Sequence, residues 1–197
     1  MAAPARSAIR PPAPSKIKIL ATADRLFYTE GIHTVGVDRI IAQAHVTKAT
    51  FYKHYRSKDL LIIAYVEGRD RDIREFLTDA EERLSPADVI RALADRISGE
   101  ATRDGFRGCP FINAAAQFSD PAHPVRIAVN THRDWYAGHI EALMRAAGHP
   151  HPGDAADDFL LARDGALAGG YVGDSIAANA ALRRLVERLL AEADQAA

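Results

Sequence analysis

Apolar residues recur every three or four positions along most of the chain, a spacing that is typical of amphipathic helices. The pattern is most regular within residues 37–58. A first short helix carries one apolar stripe: Val37, Ile40, Ile41 and Ala44. His45 and Val46 then make a tight turn, and Thr47 can cap a second short helix by accepting a hydrogen bond from a backbone N–H. Gly36 stands at the N-cap position of the first helix, so the stretch predicts a helix–turn–helix.

The remaining stripes predict further helices on both sides of this stretch. Helix 1 is expected from a Ser15 cap to Glu30, and helix 4 from a Ser57 cap through to Leu84. Ser85 and Pro86 should open helix 5, and residues 99–108 read as a loop because they hold three glycines. Four more helices are expected at about residues 109–119, 124–147, 154–172 and 175–193. No segment alternates as a strand does, so the sequence predicts an all-α fold of about nine helices.

Charge divides the chain into two unlike parts. The formal net charge is −1, yet residues 1–58 carry +7 and residues 59–197 carry −8. A basic head on an acidic body indicates a polyanionic partner for the head alone. The second short helix suits such a partner, because its polar face offers several hydrogen-bond donors: Lys48, Thr50, Tyr52, Lys53 and His54. These features favour insertion into the major groove of DNA over an ordinary solvated face.

The same stretch resembles a known family. The run from Thr47 to Tyr55, followed by Ser57, Lys58, Asp59 and Leu60, is similar to the signature of TetR-type transcriptional regulators, and the resemblance is specific over about residues 16–66. It implies a three-helix DNA-binding head (15–58), preceded by a disordered tail (1–14), and a helical ligand-binding and dimerisation body (59–197). A long fourth helix would connect head and body. The position of His45 is usually glycine in this family, since the turn needs a positive φ.

The motif match assigns roles on DNA. Thr47 caps the recognition helix, with Gly36 and Val37 near the DNA backbone. Four residues match positions that hold phosphates: Lys48, Tyr52, His54 and Lys58. The expected readers of base edges are Ala49, Thr50 and Lys53. The implied partner is a palindromic or near-palindromic double-stranded operator, and the Arg6/Arg10 tail is a candidate arm for additional contacts.

Aromatic and polar residues concentrate where helices 6, 7 and 8 are expected. A mostly apolar site with a few placed polar groups is typical of small-molecule binding, and TetR-like proteins usually carry an inducer cavity at this level. The candidate residues are Phe106, Cys109, Phe111, Asn113, Gln117, Trp135, Tyr136, His139 and Phe159. An aromatic core with satisfied histidines, such as His132, is the alternative. The expected inducer is a small, largely apolar molecule, and the regulator is expected to be a repressor.

Helix 8 carries Gly165, Gly169 and Gly173 at four-residue spacing, flanked by Ala162 and Ala166. Because glycine inside a helix costs about 1 kcal/mol relative to alanine, three of them indicate the close approach of another helix. We expect helices 8 and 9 to pair with a second copy in a homodimer, as is usual in the family. Close packing within one subunit is the alternative.

Two other functions fit parts of the sequence. Cys109, followed by Pro110 at a helix start, could serve as a nucleophile with His139 as its base, and a non-specific nucleoid-type protein would also need a basic head. With one cysteine no intramolecular disulfide forms, and the histidine spacing indicates no metal site; no cofactor is expected. No secretion signal or membrane segment is apparent, so a non-enzymatic cytoplasmic regulator is expected.

Overall fold

The structure, a computed structural model, describes residues 12–196, with side chains through residue 193. Most of the predicted tail, including Arg6 and Arg10, lies outside these residues. The described part is all-helical, with no strand, which confirms the predicted fold class. Its nine helices are α1 (Pro14–Glu30), α2 (Val37–Ala44), α3 (Lys48–His54), α4 (Lys58–Glu81), α5 (Pro86–Ala101), α6 (Pro110–Ala116), α7 (Pro124–Ala146), α8 (Pro152–Val172) and α9 (Ser175–Ala196).

The chain divides into two compact units, and the division falls between Ile62 and Ile63, inside α4. We call the first unit the head and the second the body. In the head, α1, α2 and α3 pack around a small apolar core: Ile19, Ala23, Leu26, Phe27, Ile32, Val35, Ile40, Ala44, Phe51 and Tyr55. In the body, the closest helix approaches join α8 to α9, α7 to α8, α5 to α7, α8 and α9, and α6 to α7. Among the described residues, α4 is not part of these close approaches.

Side-chain caps start several helices where the sequence predicted them. Thr47 Oγ1 accepts from the Thr50 N–H at 3.1 Å, and Ser57 Oγ accepts from the Leu60 N–H at 3.2 Å. Ser85 Oγ accepts from the Asp88 N–H at 3.2 Å, with Pro86 at the first helical position. Asp174 caps α9, since its Oδ1 accepts from two backbone N–H groups at 2.9 and 3.0 Å.

Several predicted helix ends were wrong, including those of α6, which ends at Ala116 rather than near Ser119, and α9, which extends to Ala196 rather than ending near residue 193. Ser15 does not cap α1, which begins at Pro14 with Ala13 as its N-cap. The Ser15 hydroxyl instead bonds His54 on α3. α4 ends at Glu81, three residues before Leu84, and α8 begins at Pro152, a residue suited to the first helical position.

A further error is the loop predicted over residues 99–108. α5 continues through Gly99 to Ala101, because its buried stripe extends from Ile97 and Ser98 to Ala101. Burial of Ala101 against the body therefore outweighs the cost of glycine in the helix.

His45 adopts the left-handed conformation that the turn requires, with φ 52° and ψ 47°. It is the one non-glycine residue with positive φ in the described chain. An L-residue in this region costs roughly 1–2 kcal/mol. The head therefore keeps its helix–turn–helix angle at some expense in stability.

Replacing His45 by glycine is expected to stabilise the head by about 1 kcal/mol, because glycine adopts positive φ without steric cost. Urea unfolding followed by circular dichroism measures the change. His45→Ala is the matched control: it removes the same side chain but keeps the Cβ, so it should give no gain. Equal stability of the glycine and alanine variants would contradict the assignment of strain to this backbone.

Candidate functional site

The exposed face of α3 is the first candidate site. Lys48, Ala49, Tyr52 and Lys53 are exposed, whereas Phe51, on the opposite face, is fully buried. The Phe51 ring packs edge-on against Tyr52 at 5.2 Å between centroids and lies 6.3 Å from Tyr55. The buried ring thus fixes the rotation of α3, so that its donors point away from the core.

Contacts to α1 and α2 hold this helix in place. Ser15 Oγ lies 2.7 Å from His54 Nε2, which joins α1 to the end of α3. Arg39 on α2 makes two hydrogen bonds to the Glu30 carboxylate, at 2.5 and 2.7 Å. Lys48 lies 3.6 Å from Asp38, and both side chains are largely exposed. Because exposed pairs of this kind contribute little, Lys48 remains free to exchange Asp38 for another anion.

The predicted DNA contacts fall into two groups. Lys48, Ala49, Tyr52, Lys53 and Gly36 are exposed, while Val37 is half-buried. Three residues are engaged within the protein: the Thr50 hydroxyl lies 2.8 Å from Thr47 Oγ1, His54 bonds Ser15, and Lys58 is half-buried at the start of α4. Burial lowers the pKa of Lys58, and the nearby Asp59 raises it by a smaller amount. His54 therefore fits a role in positioning α3 better than a direct phosphate contact.

A polar and aromatic cluster lies in the body at the level of α6, α7 and α8. The His132 ring stacks on Phe111 with 3.6 Å between centroids and an interplanar angle of 4°. Tyr136 lies 5.7 Å from the same ring, and Trp135 lies 5.3 Å from His139. The structure thus brings together Phe111, Trp135, Tyr136 and His139 from the predicted set, with His132 at their centre.

A buried arginine joins this cluster. Arg163 on α8 places Nη1 3.5 Å from Cys109 Sγ, and its guanidinium carbon lies 5.4 Å from the Tyr136 ring centre. Asp164 bonds Arg163 and also Arg133, the latter at 2.9 Å. Burial alone would lower the pKa of Arg163, but Cys109, Tyr136 and Asp164 raise it, so the guanidinium stays charged. Burial raises the pKa of Tyr136 to about 12, so its phenol stays protonated.

The other predicted ligand residues have different surroundings. The amide nitrogen of Asn113 donates to the Arg107 carbonyl at 2.6 Å, and that of Gln117 lies 3.5 Å from the Asn113 carbonyl. Phe106 lies beside Gly170, where an added Cβ would meet its ring at 3.6 Å. Phe159 is fully buried. Asn113 and Gln117 therefore each use an amide N–H to support the backbone around α6.

The sequence reading missed Arg163, Asp70 and Arg74. Arg163 had a signal, since it occupies a core position of α8 between Phe159 and Ala166. Asp70 and Arg74 had none, because they look like ordinary charges on a helix. In the structure Asp70 Oδ1 lies 2.7 Å from His132 Nδ1, and Arg74 stacks over Trp135 at 3.6 Å.

The ionisation of His132 and Asp70 follows from this geometry. Burial lowers the pKa of His132, although the hydrogen bond to Asp70 opposes the shift. Burial would raise the pKa of Asp70, but hydrogen bonds from Arg74 and His132 lower it overall. Near neutral pH, His132 is thus a neutral ring that donates Nδ1–H to the Asp70 carboxylate.

Acidification is expected to destabilise the body through His132. The unfolded chain takes up this proton near pH 6.5, whereas the folded chain resists it, so stability falls as the pH drops below about 6.5. The slope from this residue is at most about 1.4 kcal/mol per pH unit. Thermal unfolding at several values between about pH 7.5 and 5.5 would measure it, a range that leaves the Asp70 carboxylate ionised. His132→Phe should flatten the dependence; an equally steep profile would count against a buried neutral His132.

The exposed face of α8 and α9 is the third candidate site. Leu161, Gly165, Ala168 and Val172 recur along one exposed side of α8, and Ile176 follows in the first turn of α9. The exposed fractions are 75% for Leu161, 79% for Val172 and 80% for Ile176. No atom lies within 4 Å of a Cβ added at Gly165, so the face is open there. An apolar strip this exposed is typical of a surface that another protein covers.

The predicted small-residue set only partly coincides with this face. Ala166 is buried inside the chain, and a Cβ on Gly169 would meet Ala178 of α9 at 3.1 Å. Ala162 is half-buried, and Gly173 ends α8 as its C-cap. Gly169 thus serves the packing of α8 on α9 within one chain, which was the alternative to a role between chains.

Comparison with known proteins identifies the family. Residues 19–65 match the family model described as bacterial regulatory proteins, tetR family. The crystal structure of SCO4454, a TetR-family transcriptional regulator from Streptomyces coelicolor, superposes with a TM-score of 0.86 at 40% sequence identity. The match covers 91% of this chain and 95% of that one. The chain belongs to the TetR family.

Two sequence relatives extend the match into the body. The HTH-type transcriptional regulator LmrA of Bacillus subtilis (strain 168) is 29% identical over 135 residues, 66% of this chain and 72% of its own. The transcriptional regulator AcuR of Cereibacter sphaeroides is 27% identical over 148 residues, 70% and 68% of the two chains. This TetR-family chain is therefore a DNA-binding transcriptional regulator, and its relatives are regulators rather than enzymes.

The geometry around Cys109 agrees with a regulator. His139 Nε2 bonds Glu81 at 2.6 Å, whereas Cys109 Sγ lies 3.5 Å from Arg163 Nη1. The Cys109–His139 pair considered for a nucleophile and its base is therefore not formed, because each residue has another partner. Among the described residues, no group of three or more His, Cys, Asp or Glu side chains could hold a metal ion. Within the same part of the chain, no helix is both long and apolar enough to cross a membrane.

Proposed function

We propose that this TetR-family regulator is a homodimeric repressor that a small molecule releases from its operator. The observation that carries the proposal is the exposed face of α3, presented by a capped helix–turn–helix in the basic part of the chain. Two such helices in a dimer would enter successive major grooves, with half-sites roughly 34–36 Å apart. A palindromic operator would match this two-fold symmetry.

Residue roles on DNA follow from exposure. The exposure of Lys48 and Tyr52 supports their proposed role as phosphate contacts. Lys53 and Ala49 are the base-edge readers, with Thr50 held by Thr47 beside them. A phosphate contact adds affinity for every sequence, whereas a base contact distinguishes the operator from other DNA.

The body contains both the proposed dimer surface and the proposed site for a small-molecule ligand. The α8–α9 face defined by Leu161, Gly165, Ala168, Val172 and Ile176 is the proposed dimer surface. The proposed ligand site is the cluster around Phe111, His132, Tyr136 and Arg163. Because α4 is one continuous helix shared by both units, a ligand that prefers one position of its body half would shift the head equilibrium.

Fluorescence anisotropy with the duplex upstream of the gene for this chain tests the DNA roles. Lys48→Ala is expected to weaken binding to all duplexes alike and to reduce the salt slope by about 1. Lys53→Ala should cost about 1–3 kcal/mol on the operator and little on unrelated DNA.

Arg145→Ala, an exposed cation on α7 in the body, is the matched control and should change neither quantity. Lysine variants that bind like the wild type, with the same salt dependence, would rule out α3 as the DNA reader. Adding a panel of small aromatic compounds to the same assay tests ligand release. A compound that binds the body but leaves operator affinity unchanged would count against induction.

A further inference from the structure

The middle of α4 is unlike the other long helices of the body. From residue 67 to residue 76 no side chain is buried, whereas Val66 on one side and Leu77 on the other are both in a core. This stretch contains one glycine, Gly68, and seven charged residues. Nearly three turns of the helix that both units share therefore contribute no fully buried side chain to either core.

Polar contacts to α7 take the place of that packing. Asp70 Oδ1 accepts from His132 Nδ1 at 2.7 Å, and Asp70 Oδ2 accepts from Arg74 Nε at 2.6 Å. Arg74 in turn lies over the Trp135 ring at 3.6 Å. We call these four residues the α4 clamp: Asp70, Arg74, His132 and Trp135.

The clamp also touches α6. The His132 ring that donates to Asp70 lies flat on Phe111, and it is almost fully buried. His132 thus joins Phe111 on α6 to Asp70 on α4 directly. A rotation or shift of Phe111 would change the stacking, and with it the direction of the Nδ1–H that Asp70 accepts.

Charged groups face the ring from two helices, and a neutral phenol faces it from a third. Asp70 and Arg74 lie on α4, Arg163 lies on α8, and the protonated phenol of Tyr136 lies one turn along α7. Burial chiefly lowers the pKa of His132, and the two nearby cations add to that shift against the carboxylate. The bond to Asp70 is thus made by a neutral ring as a directional hydrogen bond.

We propose that the α4 clamp is the coupling device of this regulator: His132 senses the position of α6 through Phe111 and sets the position of the middle of α4 through Asp70. His132 is a positioning residue, since it acts on the head only through α4. The inference rests on the proposed function for its consequence on DNA, but the clamp itself can be tested without DNA.

Hydrogen–deuterium exchange of the full chain is the first test. In Asp70→Ala, peptides covering residues 67–76 should exchange about fivefold faster or more, while peptides from α5, α8 and α9 stay unchanged. Alanine is a better helix former than aspartate, so faster exchange cannot come from helix propensity. His132→Phe keeps an aromatic ring against Phe111 and removes the donor, and it should give the same local effect.

The matched control is Glu141→Ala. Glu141 also pairs with an arginine four residues along its helix, Arg145 at 2.5 Å, but the pair lies on α7 and has no recorded bond to α4. Its exchange in residues 67–76 should equal that of the wild type. Unchanged exchange in Asp70→Ala, or faster exchange spread equally over α5, α8 and α9, would overturn the proposal.

Operator affinity is the second readout, one that a purely structural role would not move. With the clamp broken, α4 and the attached head sample more arrangements, so the duplex should bind about three- to tenfold more weakly. If the Asp70→Ala variant binds the duplex with the same dissociation constant as the wild type, the proposed coupling is wrong. If the wild type binds no duplex, the proposed function fails, and the exchange experiment alone decides the clamp.

Discussion

Replacing Leu161 and Ile176 together with arginine is expected to convert a dimer into a monomer that remains folded. In the single chain, 75% of Leu161 and 80% of Ile176 are exposed, so the two substitutions should cost little stability within one subunit. In a two-fold interface each substitution occurs twice and removes about 2 kcal/mol or more of apolar burial per site, besides placing like charges together. Dimerisation should weaken by more than about a hundredfold.

Light scattering would give the mass in solution, and circular dichroism would show that the helices persist. Operator affinity should fall by a factor of about 10²–10⁴, because each head then binds without the effective concentration that its partner supplies. Ile127→Arg provides the control, since Ile127 is an exposed isoleucine (54%) that lies on α7 instead. A double variant that keeps the dimer mass would move the interface away from α8 and α9.

Phe51→Ala should abolish operator binding and the adjacent Tyr52→Ala should weaken it, for different reasons. Phe51 is fully buried in the core of a small head, so its truncation should cost about 3–5 kcal/mol. A unit of this size has little stability in reserve, and we expect the head to unfold while the body persists. Tyr52 is 43% exposed, so its removal should leave the head folded and remove only the contact to DNA.

Thermal unfolding and anisotropy on the same samples separate the two effects. Phe51→Ala should lose an unfolding transition together with DNA binding, whereas Tyr52→Ala should only weaken binding. If both variants lost the same amount of stability, the assignment of Phe51 to the buried face of α3 and Tyr52 to its exposed face would be wrong. Intact operator binding by Tyr52→Ala would remove that side chain from the DNA-contacting surface.

Local sequence patterns explain why the helices and turn of the head could be predicted from the sequence. Its caps at Thr47 and Ser57, and the turn at His45, depend on neighbours three or four residues away. Such short-range chemistry is visible in a single sequence. The error at Ser15 shows the limit, since a serine before an apolar run is a plausible cap until His54, 39 residues on, takes its hydroxyl.

The side-chain contacts of the body were harder to predict from the sequence, because they join residues that are far apart in the chain. Asp70 and His132 are 62 residues apart, and neither position alone signals the bond. Gly169 has the spacing of an intermolecular contact, yet Ala178 of the same chain fills the space beside it. Arg163 is the exception, because a charge within an apolar helical stripe could have been noted as a buried group in need of partners.

The stretch of α4 without buried side chains also bears on how such a protein can diversify. Neither the core of the head nor that of the body includes a residue between Val66 and Leu77. Substitutions there that preserve the helix and the clamp leave both cores unchanged. A head suited to one operator and a body suited to another ligand can thus be recombined at this point, so that DNA recognition and chemical recognition are free to evolve separately.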